Sequence, residues 1–184
     1  MMPGLIYVGV LTLLLSRLVG WHWGWRGADV TWICKTCGAA HDALPTVYGA
    51  EAPWRQMGVA EEELAHRVDL NADLCVVDGE HFFVRGHIEI PIHGSDEPFA
   101  WSVWCSLSRE SFGHLMNHWN DERRDEQPPC FGWLGTALPT YPSTLHLKAH
   151  VHSRRPGLVP MIEVEPTDHP LALEQRHGIS WRRV

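Results

Sequence analysis

A pair of cysteines near the start of the chain has the spacing of a metal-binding turn. Cys34 and Cys37 are separated by two residues, Gly38 follows at once, and His41 lies three residues further on. A glycine after the second thiolate allows backbone N–H groups to approach the sulfur, as in zinc knuckles. The spacing therefore predicts a zinc site to which Cys34, Cys37 and His41 contribute three ligands.

The fourth ligand of this site has to come from a distant part of the chain, because no second Cys-x-x-Cys pair follows. Cys75 is the best-placed candidate, and with it the site would be closed and structural. Other interpretations stay open. Cys34 and Cys37 also fit an ordinary turn with buried thiols, or a redox pair, although a redox motif is normally surrounded by a βαβ pattern. Cys75 also fits a buried free thiol, since cysteine is among the most buried residue types.

A second group of residues with chemical potential lies on one strand face and at the start of the last predicted helix. Arg85, His87 and Glu89 alternate with apolar residues, so they share one face of a strand. Asp168 and His169 directly precede the last helix. If they converged on one site, these side chains would bind a small ligand or perform acid–base catalysis. They also fit a charged outer strand face and a helix cap.

Two further histidine patterns have metal-binding spacing. His114 and His118 are four residues apart on a predicted helix, but the glutamate that a metalloprotease motif requires beside the first histidine is absent. His150 and His152 alternate on a predicted strand and project together, which is a metal-binding geometry. Lys148 lies on the same face, where its positive charge would compete with a metal ion. A solvent-exposed outer strand face has the same alternating pattern. We interpret both pairs as solvated surface histidines.

The element that positions most of these residues is a long β-hairpin over residues 82–107. Apolar residues recur at every second position in two runs, and the turn-forming stretch 93–98 separates them. A two-stranded apolar face needs a cover, so the pattern predicts an α+β fold. In this fold an antiparallel sheet packs against a few helices and carries an N-terminal zinc-knuckle-like turn. The residues predicted to face inward are Phe82, Val84, Ile88, Ile90, Ile92, Phe99, Trp101, Val103, Cys105 and Leu107.

Shorter elements surround the hairpin. A helix is predicted to follow an N-cap at Ser108, and the last helix is predicted to close at Gly178. A further short helix is expected at residues 60–68. Strands are expected at residues 74–77, 131–138, 144–152 and 159–164. The last strand is expected at a sheet edge, because Pro160 cannot donate a ladder hydrogen bond.

Composition limits the classes of function. The chain has 184 residues, of which 45% are hydrophobic and 20% charged, as is typical of a globular domain. Its formal net charge of −7 argues against a nucleic-acid partner. Five cysteines with a single close pair make a poor disulfide framework, which favours a reducing, cytoplasmic environment.

The apolar start of the chain is expected to lie outside the folded domain. Residues 5–15 are short for a membrane span of about 20 residues, and they lack the flanking features of a signal peptide. The alternative is an uncleaved anchor followed by an aromatic belt at residues 21–25. We predict an N-terminal extension over residues 1–29 and a single α+β domain over residues 30–184.

Several motifs, in their order along the chain, carry a resemblance to a known family. They are CKTCG at 34–38 with His41, DLCVVD at 73–78, FFVRG at 82–86, VW at 103–104, GWL at 132–134 and EPTDHPLA at 165–172. Together they resemble the uncharacterised prokaryotic domain-of-unknown-function family 2199 over about residues 32–184. The chain departs from the family pattern at Cys105, where an aliphatic residue is usual, and at Val159, where arginine is usual. The resemblance implies no assigned activity, so it leaves the function open.

Two hypotheses of different class follow from these patterns. The first is a non-enzymatic module with a structural zinc that binds or regulates another protein, because the chain lacks a phosphate-binding loop, a nucleophile motif and a dinucleotide fingerprint. The second is a small-ligand binder or enzyme that uses Arg85, His87, Glu89, Asp168 and His169. One pocket containing Arg85 and His169 would favour the second hypothesis. Their separation by a packed sheet would favour the first, which is the one we adopt.

Overall fold

The computed structural model describes residues 32–33, 38–41, 46–49 and 51–184. The contacts of the chain divide it into two units, Met1–Leu44 and Pro45–Val184. In the first unit, β1 (Trp32–Ile33) pairs antiparallel with β2 (Ala40–His41). Gly38 has φ = +70°, a left-handed conformation that glycine adopts without strain. The predicted extension over residues 1–29 lies outside the described residues, so that prediction stays a prediction.

The described part of the second unit contains eight strands and three α-helices. The strands are β3 (Val47–Gly49), β4 (Val68–Leu70), β5 (Leu74–Val77), β6 (His81–Ile90), β7 (Phe99–Leu107), β8 (Cys130–Leu134), β9 (Lys148–His152) and β10 (Met161–Val164). The helices are α1 (Leu64–Arg67), α2 (Arg109–Asn117) and α3 (Pro170–His177).

Five of these strands close into a barrel in the order β6–β7–β8–β9–β10–β6. Four neighbouring pairs are antiparallel, and β10 closes the ring by pairing parallel with β6, where Met161 lies opposite His87. A second parallel pair joins β3 to the first half of β7. The predicted α+β class is therefore confirmed, and the predicted antiparallel sheet is corrected to a mixed, closed barrel with three additional strands, β3, β4 and β5.

The prediction that the strand after Pro160 lies at a sheet edge is wrong, because β10 pairs on both sides. Pro160 precedes the first residue of β10, so its missing N–H removes no ladder hydrogen bond. Its carbonyl accepts a hydrogen bond of 2.8 Å from the N–H of His87. Gly86 allows this close approach, since a Cβ there would lie 2.5 Å from Cγ1 of Ile162.

The predicted long hairpin is confirmed as β6 and β7, which pair from Phe82 opposite Leu107 to Ile90 opposite Phe99. Its inward face fills the barrel. Residues of β8, β9 and β10 and of the two longer helices complete this main core, for example Leu115 of α2. The fully buried members of the core include Val84, Ile88, Ile90, Val103, Cys105, Leu134, Ala149, Ile162 and Leu171.

The outer face of the hairpin carries a second, smaller core that the sequence pattern did not predict. Trp54, held in a short 3₁₀ turn at Pro53–Arg55, packs with Phe83 and Trp104. Cys75 of β5 belongs to the same cluster. Outward-facing apolar residues near the start of β6 and in the middle of β7 are therefore buried as well, and the barrel has a cover on this side.

α2 begins, and α3 begins and ends, where the sequence predicts. The N–H of Ser111 donates to Oγ of Ser108 at 3.1 Å, which caps α2. α3 ends at Gly178, whose φ of +76° is the left-handed conformation expected after a helix. The strand predicted over residues 144–152 begins only at Lys148. His146, with φ = +63°, interrupts the extended backbone before that point.

Within the described part of the chain, no helix combines the length and the apolar character that a membrane crossing requires.

Candidate functional site

The residues predicted to bind zinc fall in different parts of the chain. Cys34 and Cys37 lie outside the described residues, and only the backbone of His41 is described. The described residues contain no group of three or more histidine, cysteine or acidic side chains arranged to hold a metal ion. The zinc site on Cys34, Cys37, His41 and Cys75 therefore stays a prediction.

Cys75 is a fully buried member of the small outer core. Its closest environment includes the rings of Trp54, Phe83 and Trp104. Burial raises the pKa of the Cys75 thiol to about 11, although a backbone hydrogen bond from Trp54 opposes this effect. In this environment the protonated thiol is strongly favoured, because an apolar surrounding disfavours the thiolate.

Arg85, His87 and Glu89 share the outer face of β6, as predicted, but two of them are engaged in ion pairs. Nη2 of Arg85 lies 3.2 Å from Oδ1 of Asp73, and Nη1 of Arg154 donates to Oε1 of Glu89 at 2.6 Å. The pKa of His87 is lowered mainly by burial and also by the positive charge of Arg154. The imidazole of His87 is therefore neutral near pH 7, between two pairs of opposite charges.

His169 serves as the N-cap of α3, and Asp168 beside it is exposed. Nδ1 of His169 accepts a hydrogen bond of 3.2 Å from the N–H of Leu171, so the proton of the neutral ring is on Nε2. Leu171 packs into the barrel interior, whereas Arg85 lies on the outer face of β6. Arg85 pairs with Asp73, whereas the ring of His169 lies 6.4 Å from that of Tyr141, so the described contacts do not bring the five candidate residues into one site.

Barrel closure brings together two polar strand faces that are distant in sequence. β10 lies between β6 and β9, so Met161 is opposite His87 on one side and opposite His152 on the other. Two residues further along β10, Glu163 is opposite His150. The outward faces of β6 and β9 therefore join across β10 into one polar surface.

Two histidine–glutamate pairs occupy the β9 side of this surface. Nε2 of His152 lies 2.9 Å from Oε2 of Glu163, and Nε2 of His150 lies 3.4 Å from Oε1 of Glu165. The rings of Phe131 and His150 also meet, with centroids 5.8 Å apart. The histidines of the His-x-His pattern are thus paired with one carboxylate of β10 and one of the residue that directly follows it.

A cleft of about 460 Å³ opens at one end of this polar surface, between β6, β10, α3 and the turn of the long hairpin. Three carboxylates line it, from Glu89, Asp96 and Glu163, together with one cation, Arg176. We call it the acidic cleft. The rest of its lining is largely apolar and is provided by Pro91, Ile92, Pro98, Met161 and Val164, together with the polar residues Ser95 and Gln175.

A glutamine side chain fixes the geometry of the acidic cleft. The N–H of Val164 donates to Oε1 of Gln175 at 2.9 Å, and Nε2 of Gln175 donates to the carbonyl of Ile162 at 2.7 Å. α3 is thereby held against the backbone of β10, and Arg176 is placed at the rim. Sequence reasoning identified only Glu89 among the carboxylates. Glu163 becomes its neighbour through barrel closure, and Asp96 comes from the hairpin turn, where the sequence pattern gave no site.

A second cavity, of about 220 Å³, lies at the mouth of the barrel, and we call it the barrel-mouth pocket. Four aromatic residues, Tyr48, Phe99, Trp101 and Tyr141, form much of its wall. The centroid distances are 5.8 Å between Tyr48 and Trp101 and 6.3 Å between Trp101 and Tyr141. The alternating pattern predicted that Phe99 and Trp101 face inward. It gave no indication that Tyr48 and Tyr141 join them, because these two residues come from separate parts of the chain.

The fold and these sites define a small α+β domain built on a five-stranded mixed barrel, with an acidic cleft on its outside and an aromatic pocket at its mouth. A family model described as "Uncharacterized protein conserved in bacteria (DUF2199)" matches residues 33–179, and the chain belongs to this family. The predicted resemblance is confirmed. No curated protein and no solved structure matches the chain.

Proposed function

We propose that this domain is a non-enzymatic module that binds a basic, extended segment of another protein in the acidic cleft. The observation that carries the proposal is the lining of the cleft, where Glu89, Asp96 and Glu163 lie beside an apolar floor. Glu89 and Glu163 also pair with Arg154 and His152, so a ligand cation would share these two carboxylates. Lysine and arginine side chains have an apolar stem and a charged head, so such a floor buries the stem while carboxylates face the head. The formal net charge of −7 adds long-range attraction for a basic partner.

The environments of the three described cysteines support a binding role rather than cysteine-based catalysis. Burial raises the pKa of Cys75 to about 11 and that of Cys105 to about 12, and it also raises the pKa of Cys130. Reactive cysteines need the opposite shift, because the thiolate is the nucleophile. Several described histidines already have a partner in the protein: Nε2 of His93 lies 2.8 Å from the carbonyl oxygen of His177, and His150 and His152 pair with carboxylates.

We retain a structural zinc in the first unit as part of this proposal, with Cys34, Cys37 and His41 as ligands. Its support is the sequence spacing, together with the left-handed Gly38 between β1 and β2. The fourth ligand is left unassigned, because Cys75, the residue predicted for it, packs in the small outer core of the second unit. Zinc content measured on reduced wild-type protein and on Cys37→Ala and Cys75→Ala variants tests it. We expect about one zinc per wild-type chain and none for Cys37→Ala. Loss of zinc from Cys75→Ala assigns it the fourth position, whereas unchanged zinc with lower stability assigns it as a buried thiol.

The peptide proposal is tested with a fluorescein-labelled peptide that carries two arginines separated by one residue, and with a second peptide in which glutamate replaces both. We expect the basic peptide alone to raise the fluorescence anisotropy, with an affinity that falls as salt increases. The double variant Asp96→Asn/Glu163→Gln should weaken binding roughly tenfold, or about 1.4 kcal/mol.

The matched control removes the same charge away from the cleft. Glu110 and Glu122 are both exposed and lie outside the cleft lining. The double variant Glu110→Gln/Glu122→Gln should therefore bind the basic peptide as the wild type does. An equal loss in both double variants would mean that the peptide responds to net charge alone, and it would refute the cleft as the binding site.

A further inference from the structure

The barrel-mouth pocket already holds a cation that belongs to the chain itself. The guanidinium carbon of Arg183 lies 5.1 Å from the centroid of the Tyr141 ring. Nε of Arg183 donates to Oε1 of Glu174 at 2.9 Å, and the hydroxyl of Tyr141 donates to Oε2 of the same carboxylate. The chemistry of the pocket is therefore that of an aromatic ring and a carboxylate acting together on a guanidinium group.

Backbone hydrogen bonds anchor the segment that carries Arg183 at Ile179, and the side chain of Val184 packs against the main core. Ile179 pairs with the backbone beside Ile92: its N–H donates to the carbonyl of Pro91, and its carbonyl accepts from His93, both at 2.8 Å. Beyond it, the N–H of Arg183 donates locally to the carbonyl of Ser180 at 2.9 Å, within one turn. The side-chain contacts of Arg183 with Glu174 and Tyr141 thus hold this turn over the pocket.

The polar groups around the pocket are incompletely satisfied. The indole N–H of Trp101 is buried without a hydrogen bond of regular geometry, although it lies near enough to the Tyr141 hydroxyl to lower the pKa of that group slightly. Burial raises the pKa of Tyr141 to about 12, with a further contribution from its hydrogen bond to Glu174, so its hydroxyl stays protonated as a donor. A buried donor without a regular hydrogen bond lowers the stability of the fold. Its presence in a native protein therefore requires another explanation, such as a ligand that it contacts.

We propose that the barrel-mouth pocket is a binding site for an alkylguanidinium group and that Arg183 is its internal competitor. A guanidinium ligand would take the place of the Arg183 head against Tyr141 and Glu174, and the turn after Ile179 would swing away. The pocket volume of about 220 Å³ fits a head group with a short alkyl stem and excludes a large ligand. The ligand is either a free small guanidinium compound or the arginine side chain of a partner protein.

The test follows the indole N–H signals of the full chain by ¹⁵N NMR while ethylguanidinium chloride is added. Comparison with a Trp101→Phe variant assigns the Trp101 signal. We expect this signal to shift in the wild type at millimolar concentrations, and the Arg183→Ala variant to bind roughly tenfold more tightly because the competitor is gone. Arg182→Ala is the matched control, since this neighbouring arginine is exposed and does not line the pocket, and it should bind as the wild type does.

Neutral and peptide probes complete the experiment. Ethylurea has nearly the same shape without the charge, and it should leave the Trp101 signal unchanged. N-acetylarginine amide distinguishes the two sources, because tighter binding than ethylguanidinium indicates a peptide ligand and weaker binding a free one.

Absence of a Trp101 shift in folded Arg183→Ala, or an equal response to ethylurea, would overturn the proposal. Arg183 would then serve only to fasten the chain end, and its removal would lower the melting temperature alone. Asp96→Asn/Glu163→Gln should bind ethylguanidinium normally, so failure here is separate from failure of the acidic cleft.

Discussion

Arg124 is the residue whose role is least visible in the sequence. It is 4% exposed, and its guanidinium group donates to backbone carbonyls of Trp119 at 2.7 Å and Leu158 at 2.8 Å. Further donors reach the carbonyls of Arg154 and Arg155. A single side chain thus fastens the loop before β10, and through that loop it positions the Arg154 guanidinium against Glu89.

Replacing Arg124 with lysine keeps the charge and removes the planar fork of donors. We expect the free energy of unfolding to fall by about 2–3 kcal/mol, because one ammonium group cannot reach carbonyls on several sides and leaves buried acceptors unpaired. Chemical denaturation measures the change. Arg123→Lys is the control, since the Arg123 side chain is 77% exposed and should tolerate the exchange. A similar small effect for both variants would contradict the anchoring role.

His87 is expected to make the stability of the protein depend on pH, and the direction of this dependence follows from its environment. Its folded pKa is lowered by burial, so acidification protonates the unfolded chain before the folded one and favours unfolding. Stability should therefore fall as the pH drops below about 6.5, the ordinary histidine pKa. The variant His87→Gln should lose less stability than the wild type between neutral and mildly acidic pH, measured by denaturation at several pH values. His66→Gln, at an exposed position, should leave the wild-type profile unchanged. An unchanged profile for His87→Gln would show that other groups set it.

At the scale of elements, the contact between β6 and β10 depends on Gly86. A Cβ at this position would lie 2.5 Å from Cγ1 of Ile162 and 2.9 Å from the carbonyl oxygen of Pro160. Gly86→Ala should therefore push β10 away and lower the free energy of unfolding by about 1–3 kcal/mol. Gly113→Ala in α2 is the matched control, since its Cβ would meet nothing within 4 Å. That change should stabilise the helix by about 0.5–1 kcal/mol. Equal effects would mean that Gly86 is not a close-approach site.

The elements that the sequence predicted well are those with local causes. The hairpin of β6 and β7 follows from period-two alternation on both sides of one turn, and α2 follows from the Ser108 cap and an apolar stripe. The start of β9 was missed because a left-handed residue, His146, interrupts an otherwise regular alternation. Backbone conformation at a single non-glycine residue leaves no trace in hydrophobic periodicity.

At the scale of the whole molecule, the candidate sites depend on a pairing that periodicity cannot supply. The sequence placed Glu89 and His150 correctly on outward strand faces, yet it had no means of placing their strands on the two sides of β10. That neighbourhood arises when β10 pairs with β6 on one side and β9 on the other, through the contact of Met161 and His87 between residues far apart in sequence. The convergence of Arg85 and His169, which would have favoured the small-ligand hypothesis, is not seen: Arg85 pairs with Asp73, whereas the ring of His169 lies beside Tyr141.

The closed ring also determines which backbone groups the described sheet offers to other chains. In a closed ring every long strand has partners on both sides, and the strand order ends at β3 and β4, each of three residues. Short terminal strands present few free N–H and C=O groups, so they are poor templates for edge-to-edge aggregation. Loss of β10 would leave one side of β9 and the later half of β6 unpaired, and that longer exposed edge would pair with other copies. Barrel closure is in this sense a protection against self-assembly.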